Sequence, residues 1–264
     1  FLNKAKITRQ GKITNAAIIL LGKPESEVLI SPAVAKIRWI LKDSKENERD
    51  YQIESCPFIL ASKKIYAKIR NLKYRFIPPE QGTLFPEEMD TYEPYVIREA
   101  LNNAIAHQDY SMSGMINVVE YDDKLVFSNK GNFIPESVKN VLTSDAPEER
   151  YRNRFLAQAM VELKMVDTIG SGIRRMFNFQ RKRLFPMPDY ELSNNRVQVT
   201  ITGKIIDNNY STLLAKNPDL TINDVEILSR VLLKRNVTSA EIDYLRKLKL
   251  IEGRKPNIYI SKTV

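Results

Sequence analysis

The sequence predicts an α/β protein in which helices lie on one face of a mixed or antiparallel sheet. Three observations lead to this class. Helical segments alternate with strand-like runs such as "INVVEY" and "KLVFSN" between residues 93 and 203. The preceding residues combine short apolar runs with one amphipathic helix, and the chain closes with two helices and a hairpin pattern. Mixed periodicities of this kind are typical of a sheet layered with helices.

The first part of the chain, residues 1–84, predicts a partial α/β segment followed by a linker. Two runs, "NAAIILLG" and "AKIRWILK", resemble strands, and "PFILASKKIYAKIRNL" has one apolar side and predicts a helix. The stretch "IPPEQGTLFPEEMD" holds three prolines and a glycine, which favour a linker or an ordered loop. The chain begins with Phe1, so we expect a longer protein with a further domain before it.

The middle part, residues 85–205, opens with the segment "REALNNAIAHQDYS", which predicts a helix. Residues four apart lie on one helix face, so Glu99, Asn103 and His107 form a polar stripe among small apolar residues. A solvated helix face usually carries Lys, Arg and Glu, whereas here short amide side chains and an imidazole accompany a lone carboxylate. We interpret the stripe as the lining of a site; the alternative is an ordinary solvated face.

Two glycine motifs follow in the same part of the chain. In "SNKGNF", Asn129 ends a predicted strand and Gly131 lets a ligand or a loop approach the backbone. In "DTIGSGIRRM", Gly170 and Gly172 precede a helix whose free amides and positive end suit a phosphate. Each motif alone is a weak indication, because a short Gly-x-Gly is more often just a tight turn, so their order along the chain is the stronger indication.

The last part, residues 206–264, predicts a winged helix-turn-helix. "INDVEILSRVLLK" is helical, and a capping box from Thr238 to Glu241 begins a second amphipathic helix. "LIEGRKPNIYIS" reads as a strand, a basic turn and a strand. In such a unit the second helix enters the major groove and the wing touches the backbone, whereas some winged helices bind proteins instead. The candidate DNA contacts are Arg246, Lys247, Lys249, Arg254 and Lys255.

The amino-acid composition indicates which binding partners and which cellular compartment to expect. The formal net charge is +9, and residues 91–205 are nearly neutral, with 15 Lys and Arg against 14 Asp and Glu, so the excess lies in both flanks. Basic flanks favour nucleic acid as a partner. One cysteine, Cys56, and one histidine exclude a disulfide framework and a Cys/His zinc site within this sequence. The single cysteine fits a reducing cytoplasm, and no apolar run approaches a bilayer span, so we expect a cytoplasmic protein without a membrane partner.

The order of these motifs resembles the GHKL superfamily of gyrase B, histidine kinases and MutL. The phrases "REALNNAIAHQDYS", "DTIGSGI" and "IEGRKPN" are similar to those of bacterial regulators, often labelled RecG-like helicases. These regulators join an AlbA-like (Schlafen-type) DNA-binding domain to a GHKL-like, or HATPase-like, ATP-binding domain and a C-terminal winged helix. The resemblance covers about residues 10–264, and the AlbA-like domain would precede them.

The resemblance implies a GHKL-type helix-over-sheet sandwich that binds ATP and Mg²⁺. Glu99 matches the carboxylate that orients or deprotonates water, and Asn103 matches the amide that holds Mg²⁺. His107 and Asp109 lie one turn further on, where His107 could reach a phosphate or simply cap the pocket. Asn129 stands where the superfamily usually has an aspartate that accepts a hydrogen bond from adenine. The remaining cofactor residues implied are Gly131, Gly170 and Gly172.

Two functions stay open at the level of the sequence. The favoured one is a transcriptional regulator that responds to ATP or ADP and binds DNA; the other is a GHKL-type ATPase or kinase-like enzyme that acts with nucleic acid. A purely structural pocket and a homodimer are further alternatives. The sequence does not contain the Gly-x-x-x-x-Gly-Lys-Ser/Thr pattern of a helicase motor, so we do not expect a true helicase.

Overall fold

A six-stranded mixed sheet forms the centre of the protein in a computed structural model, which describes residues 2–76, 87–143, 151–166 and 171–262. The strands are, in chain order, β1 (Thr8–Arg9), β2 (Lys12–Ile13), β3 (Lys36–Lys42), β4 (Glu48–Ser55), β5 (Lys73–Phe76), β6 (Glu87–Asp90), β7 (Ile116–Glu120), β8 (Lys124–Lys130), β9 (Asp189–Ser193), β10 (Arg196–Thr202), β11 (Ile251–Arg254) and β12 (Asn257–Ile260). The central sheet has the order β4-β3-β7-β8-β10-β9, in which only β3 and β7 are parallel.

Helices cover this sheet and one another. They are α1 (Asn15–Leu21), α2 (Phe58–Lys68), α3 (Pro94–His107), α4 (Val138–Thr143), α5 (Arg154–Glu162), α6 (Gly172–Lys182), α7 (Asn208–Lys216), α8 (Ile222–Leu232) and α9 (Ser239–Lys247). Helix α3 packs on β7 and β8, α2 packs on β3 and β4, and α5 and α6 pack on α3. The mixed α/β fold with a six-stranded sheet is compatible with an ATPase-like α/β architecture. None of the described helices combines the length and the apolar character that crossing a membrane requires.

The alternation of buried and half-exposed residues along the strands shows which face of the sheet the helices cover. In β7, Ile116, Val118 and Glu120 are buried while the residues between them are half-exposed. In β8, Leu125 and Phe127 are fully buried on the same side. The sequence predicted both strands as well as β3 and the helix α2, and these predictions are confirmed.

The run "NAAIILLG" is helical, and its prediction as a strand was wrong. Thr14 caps helix α1 by accepting a hydrogen bond from the Ala17 amide at 3.2 Å, and Ala16, Ile19 and Leu20 are buried. A short apolar run does not distinguish a buried strand from a buried helix by periodicity. The threonine before the run was the local signal for a helix.

The central sheet continues across the boundary that the sequence suggested between residues 84 and 85. Strand β3 pairs in parallel with β7, and Ile37 lies opposite Ile116. Parallel strands are joined by long crossovers, so neighbouring positions in the sheet are far apart in sequence. The suggested linker lies largely outside the described residues.

The C-terminal unit consists of helices α7, α8 and α9 followed by the hairpin β11–β12. Both α8 and α9 begin with a capping box, and the one from Thr238 to Glu241 is the box that the sequence predicted. The apolar core of this unit includes Tyr210, Leu228 and Leu245, and it is continuous with Phe177 and Met187 of the middle part. The two predicted helices, α8 and α9, and the hairpin are present, whereas α7 was not predicted. Their classification as a winged helix stays a prediction.

A cluster of charges ties α8 to the start of α9. Arg230 donates to Glu226 Oε1 at 2.9 Å and to Glu241 Oε1 at 2.6 Å, and Glu241 also accepts from the Thr238 N–H and O–H. Burial disfavours the charged carboxylate, but the Arg230 and Thr238 hydrogen bonds outweigh it and lower the pKa of Glu241 to about 2 from 4.5. Glu241 therefore stabilises the fold above its unfolded pKa, and this contribution is lost as pH falls towards 2.

We expect Glu241→Gln to reduce the pH dependence of stability between about pH 5 and pH 2. Wild type should lose about 1 kcal/mol more of its free energy of unfolding over this range than the variant, after allowance for solvent screening. Urea denaturation at a series of pH values measures the difference. Asp219→Asn, which removes an exposed carboxylate of the same unit, is the control. Parallel pH profiles for wild type and Glu241→Gln would contradict the assignment.

Candidate functional site

The polar stripe of α3 faces the interior of the protein. Glu99 is only 7% exposed, and its Oε1 accepts a hydrogen bond from Asn103 Nδ2 at 3.1 Å. Tyr95, one turn earlier, also hydrogen-bonds the Glu99 carboxylate. The i, i+4 spacing of Tyr95, Glu99 and Asn103 thus produces one connected group of polar side chains on a single helix face.

Burial raises the pKa of Glu99 above its usual value. The hydrogen bonds from Asn103 and Tyr95 and the positive charges of Arg98 and Arg175 act in the opposite direction but do not compensate. A raised pKa makes a carboxylate a stronger base, so Glu99 beside the cavity is a candidate general base.

Helix α6 begins directly against the Glu99 carboxylate. A Cβ atom placed on Gly172, the first residue of α6, would lie 1.5 Å from Glu99 Oε1 and 2.1 Å from its Cδ. Only glycine leaves room for the carboxylate here. The positive end of a helix stabilises a nearby negative charge, so this position suits both Glu99 and an anionic ligand. Gly170 lies outside the described residues.

The stripe opens on a cavity of about 90 Å³ between α3, the sheet and α6. Five of the residues that the sequence singled out line it: Glu99, Asn103, His107, Asn129 and Gly172. The apolar part of the wall includes Phe127, Val197 and Val199 from the sheet, Phe133 from the loop after β8, and Ile173 from α6. The cavity is therefore amphipathic, with its polar groups concentrated along α3 and at the end of β8.

Asn129 occupies the end of β8 at the cavity wall and is 6% exposed. Its Nδ2 donates to the carbonyl oxygens of Lys130, at 2.9 Å, and of His107, at 3.3 Å. Within the described part of the chain, its Oδ1 accepts no hydrogen bond. These two donated bonds orient the amide and leave its oxygen available as an acceptor.

Two predicted residues lie beside the cavity without lining it. Asp109 accepts from the Ser111 amide and forms an ion pair with Arg152, at 3.1 Å from its Nη1. Gly131 has a φ of +110°, and a Cβ there would lie 2.9 Å from Arg152 Nε. Arg152 therefore packs over the Gly131 backbone and holds Asp109, which indicates a bracing role for all three residues.

Several lining residues were not predicted from the sequence. Tyr151 stacks on His107 with ring centroids 5.3 Å apart, and no local pattern signals this contact. Tyr190 lies on β9 opposite Val199, so the alternation of that strand pair could have placed it at the cavity. Asn102 lies off the polar stripe, and its amide donates to the Met165 carbonyl at 2.8 Å, which joins α3 to the residues after α5.

The candidate DNA contacts of the C-terminal unit are all exposed. Arg246 donates to the Gly253 carbonyl at 2.7 Å and Lys255 to the Val237 carbonyl at 3.2 Å, so these two also hold the hairpin against α9 and the loop before it. Lys247, Lys249 and Arg254 form no ion pair with any residue that the structure describes. The hairpin and the end of α9 therefore present a positively charged surface.

Comparisons with known proteins agree with an ATPase-like fold. Residues 114–201 match the family described as "Putative ATP-dependent DNA helicase recG C-terminal". This match begins after α3 and so does not include Glu99 or Asn103. The DIP2311 protein from Corynebacterium diphtheriae has a similar crystal structure, with a TM-score of 0.58 and 17% identity. The similarity covers 99% of this chain and 58% of that one, and it supports the fold alone. No curated protein matches the chain.

The contact between Gly172 and Glu99 can be tested with a double-mutant cycle. Gly172→Ala should destabilise wild type by about 1–3 kcal/mol, because the new methyl group overlaps the carboxylate. In a Glu99→Ala background the same change should be neutral or stabilising by up to about 1 kcal/mol, since alanine favours a helix over glycine. Urea denaturation of the four proteins measures the coupling. An equal cost of Gly172→Ala in both backgrounds would contradict the contact.

Proposed function

We propose that this chain is a nucleotide-responsive, DNA-binding transcriptional regulator that binds ATP and Mg²⁺ in the cavity beside α3. The observation that carries the proposal is the buried Glu99–Asn103 pair, which faces the cavity directly beneath the first turn of α6. Burying a carboxylate against a glycine has a cost in stability, and proteins retain such arrangements at functional sites.

Each polar group of the cavity suits one part of a nucleotide. The Asn129 Oδ1 can accept a hydrogen bond from the amino group of adenine, and as a neutral amide it selects the base less strongly than an aspartate would. The apolar side chains of Phe127, Val197 and Val199 suit the faces of the base. The first turn of α6 at Gly172 offers backbone amides and a positive helix end to the phosphates.

Asn103 and Glu99 suit a magnesium ion that is held mainly by phosphate oxygens. The Asn103 Nδ2 donates a hydrogen bond to Glu99. The Asn103 Oδ1 accepts no hydrogen bond from a described residue. Mg²⁺ commonly takes one or two protein oxygens and completes its shell with water and phosphate. Among the described residues no group of three or more His, Cys, Asp or Glu side chains could hold a metal by itself, which agrees with a metal that arrives with the nucleotide.

Nucleotide binding requires the cavity to widen. Its volume of about 90 Å³ is below the roughly 300–1,000 Å³ of most small-molecule sites. His107 and Tyr151 stack across part of the wall, and Phe133 contacts Tyr190 with ring centroids 5.6 Å apart. Movement of these rings would admit the ligand, so binding itself changes the protein and can act as the switch.

A direct structural route leads from the cavity to the C-terminal unit. Tyr190 lines the cavity and stacks on Phe177, which belongs to the apolar core of that unit. The preceding residue, Asp189, binds the Arg235 guanidinium at 2.6 Å in the loop after α8. Displacement of Tyr190 by a ligand would therefore disturb the packing of the DNA-binding unit, which supports regulation rather than catalysis as the purpose of the cavity.

The second candidate function is a GHKL-type ATPase. The raised pKa of Glu99 favours this function, because a raised pKa suits a general base. Catalysis of phosphoryl transfer depends mainly on positive charge at the phosphates. Arg174 donates to the Leu142 carbonyl at 3.0 Å and Arg175 lies over the Tyr95 ring, so both interact with the protein itself. We therefore expect hydrolysis well below the roughly 1–100 s⁻¹ of kinases.

Asn103→Ala should weaken Mg²⁺-dependent ATP binding by roughly tenfold or more while leaving the fold intact, because the residue lines the cavity and offers its oxygen to the metal. Calorimetric titration with ATP, in the presence of Mg²⁺ and in its absence, measures the effect. Asn208→Ala, an exposed amide on α7, is the matched control and should bind as wild type does.

Equal ATP affinities of wild type and Asn103→Ala would exclude the metal role of this residue, and the absence of any nucleotide binding by wild type would exclude the proposed function. Phosphate release by wild type and Glu99→Gln separates the two candidate functions. Rapid release that Glu99→Gln abolishes would favour the enzyme over the regulator.

The DNA surface is tested by Lys247→Ala combined with Arg254→Ala. Neutralising two phosphate contacts should weaken binding to duplexes of any sequence and flatten the salt dependence by up to about 0.9 per contact. Lys45→Ala combined with Lys182→Ala removes the same charge from exposed positions elsewhere and is the control. Fluorescence anisotropy over a range of salt concentrations measures the slope, and an unchanged slope would exclude these contacts.

A further inference from the structure

A second and larger cavity lies on the other side of α3. It occupies the groove between α2 and α3 where the end of α5 closes it, and its volume of about 540 Å³ falls in the range of small-molecule sites. Its wall comprises Ile59, Ser62, Lys63, Tyr66, Pro94, Tyr95, Arg98, Leu101, Asn102, Leu163, Lys164 and Met165. We call it the α2–α3 groove.

Three cations from three separate elements line this groove. Lys63 belongs to α2, Arg98 to α3 and Lys164 to the turn after α5. No described lining residue is a carboxylate, and Lys63 and Lys164 form no ion pair with any described residue. Like charges gathered around one cavity repel one another, so an anion that enters the groove relieves this repulsion.

The remaining wall of the groove is apolar and aromatic. Ile59, Leu101, Leu163 and Met165 contribute side chains from α2, α3 and the end of α5. Tyr66 is 39% exposed, and its ring stacks on no other described aromatic or cationic side chain. Tyr95, by contrast, already carries Arg98 and Arg175 over its ring. Tyr66 is therefore the ring available for a planar ligand.

From these features we infer that the α2–α3 groove binds a phosphorylated ligand that carries a nucleobase. Three cations match the multiple negative charges of a phosphate better than a single carboxylate. A tyrosine beside an apolar wall matches the face of a base, and stacking of this kind tolerates any base. The ligand chemistry is shared by a free nucleotide and by the phosphorylated end of a single strand.

The groove is separate from the cavity beside Glu99. Asn102 lies between them, and its amide donates to the Met165 carbonyl at 2.8 Å, which joins α3 to the end of α5. Arg98 lines only the groove, Glu99 and Asn103 line only the first cavity, and Asn102 lines both. Occupancy of the groove does not depend on the proposed function of that cavity.

The test uses calorimetric titration of the whole chain with ADP and with inorganic pyrophosphate at low ionic strength. Lys63→Ala combined with Lys164→Ala should lower the affinity of the groove for both probes by roughly tenfold or more. Tyr66→Leu should lower the affinity for ADP by about fivefold or more and leave pyrophosphate unchanged, because only ADP carries a base. The double variant of Lys45 and Lys182 should bind both probes as wild type does.

Asn103→Ala separates the two sites. The binding component of the groove persists in Asn103→Ala and is lost in the Lys63 and Lys164 variant, whereas a component at the first cavity shows the reverse pattern. Unchanged binding of both probes in the Lys63 and Lys164 variant would overturn the inference, as would an equal loss in the Lys45 and Lys182 control.

A third titration distinguishes the two sources of the ligand. The probe is a tetranucleotide of deoxythymidylate with a 5′-phosphate. Tighter binding of the tetranucleotide than of ADP, sensitive to the Lys63 and Lys164 substitutions, assigns the groove to the end of a strand. Tighter binding of ADP with the same sensitivity assigns it to a free nucleotide. Binding of neither probe to wild type would overturn the inference.

Discussion

Burial of the Glu99 carboxylate against the first turn of α6 is the constraint on which the candidate site depends. The carboxylate occupies the space that a side chain at Gly172 would need, so this position of the carboxylate requires glycine at residue 172. Asn103 and Tyr95 hydrogen-bond the carboxylate from α3 itself. The positive end of α6 lies beside the negative charge, and this offsets part of the cost of burying it.

The sheet connects this local arrangement to the rest of the molecule. Strand β8 carries Asn129 to the cavity, and Arg152 braces the neighbouring backbone at Gly131. Strand β9 carries Tyr190 to the same cavity and Asp189 to the Arg235 ion pair. A ligand that moved β9 would act on the C-terminal unit without any long-range mechanism, because the apolar core is continuous between them.

Local sequence patterns predicted most elements that carry the site. The i, i+4 spacing placed Glu99 and Asn103 on one face of α3, and the capping box placed the start of α9 at Thr238. Local patterns failed for the run from Asn15 to Leu21, where a short apolar segment suits a strand or a helix equally. Local patterns also did not predict the parallel pairing of β3 with β7, since that contact joins residues almost 80 positions apart.

The sequence by itself determined the α/β class and the polar face of α3, because helical and strand periodicities are properties of neighbouring residues. Only the tertiary structure decided that Glu99 meets Gly172, that Tyr151 stacks on His107, and that Asp109 pairs with Arg152. It also decided that Lys63, Arg98 and Lys164 surround one groove. Each of these contacts joins residues of separate elements. Whether such residues come together depends on how the helices pack on the sheet, and a short segment of sequence does not determine that packing.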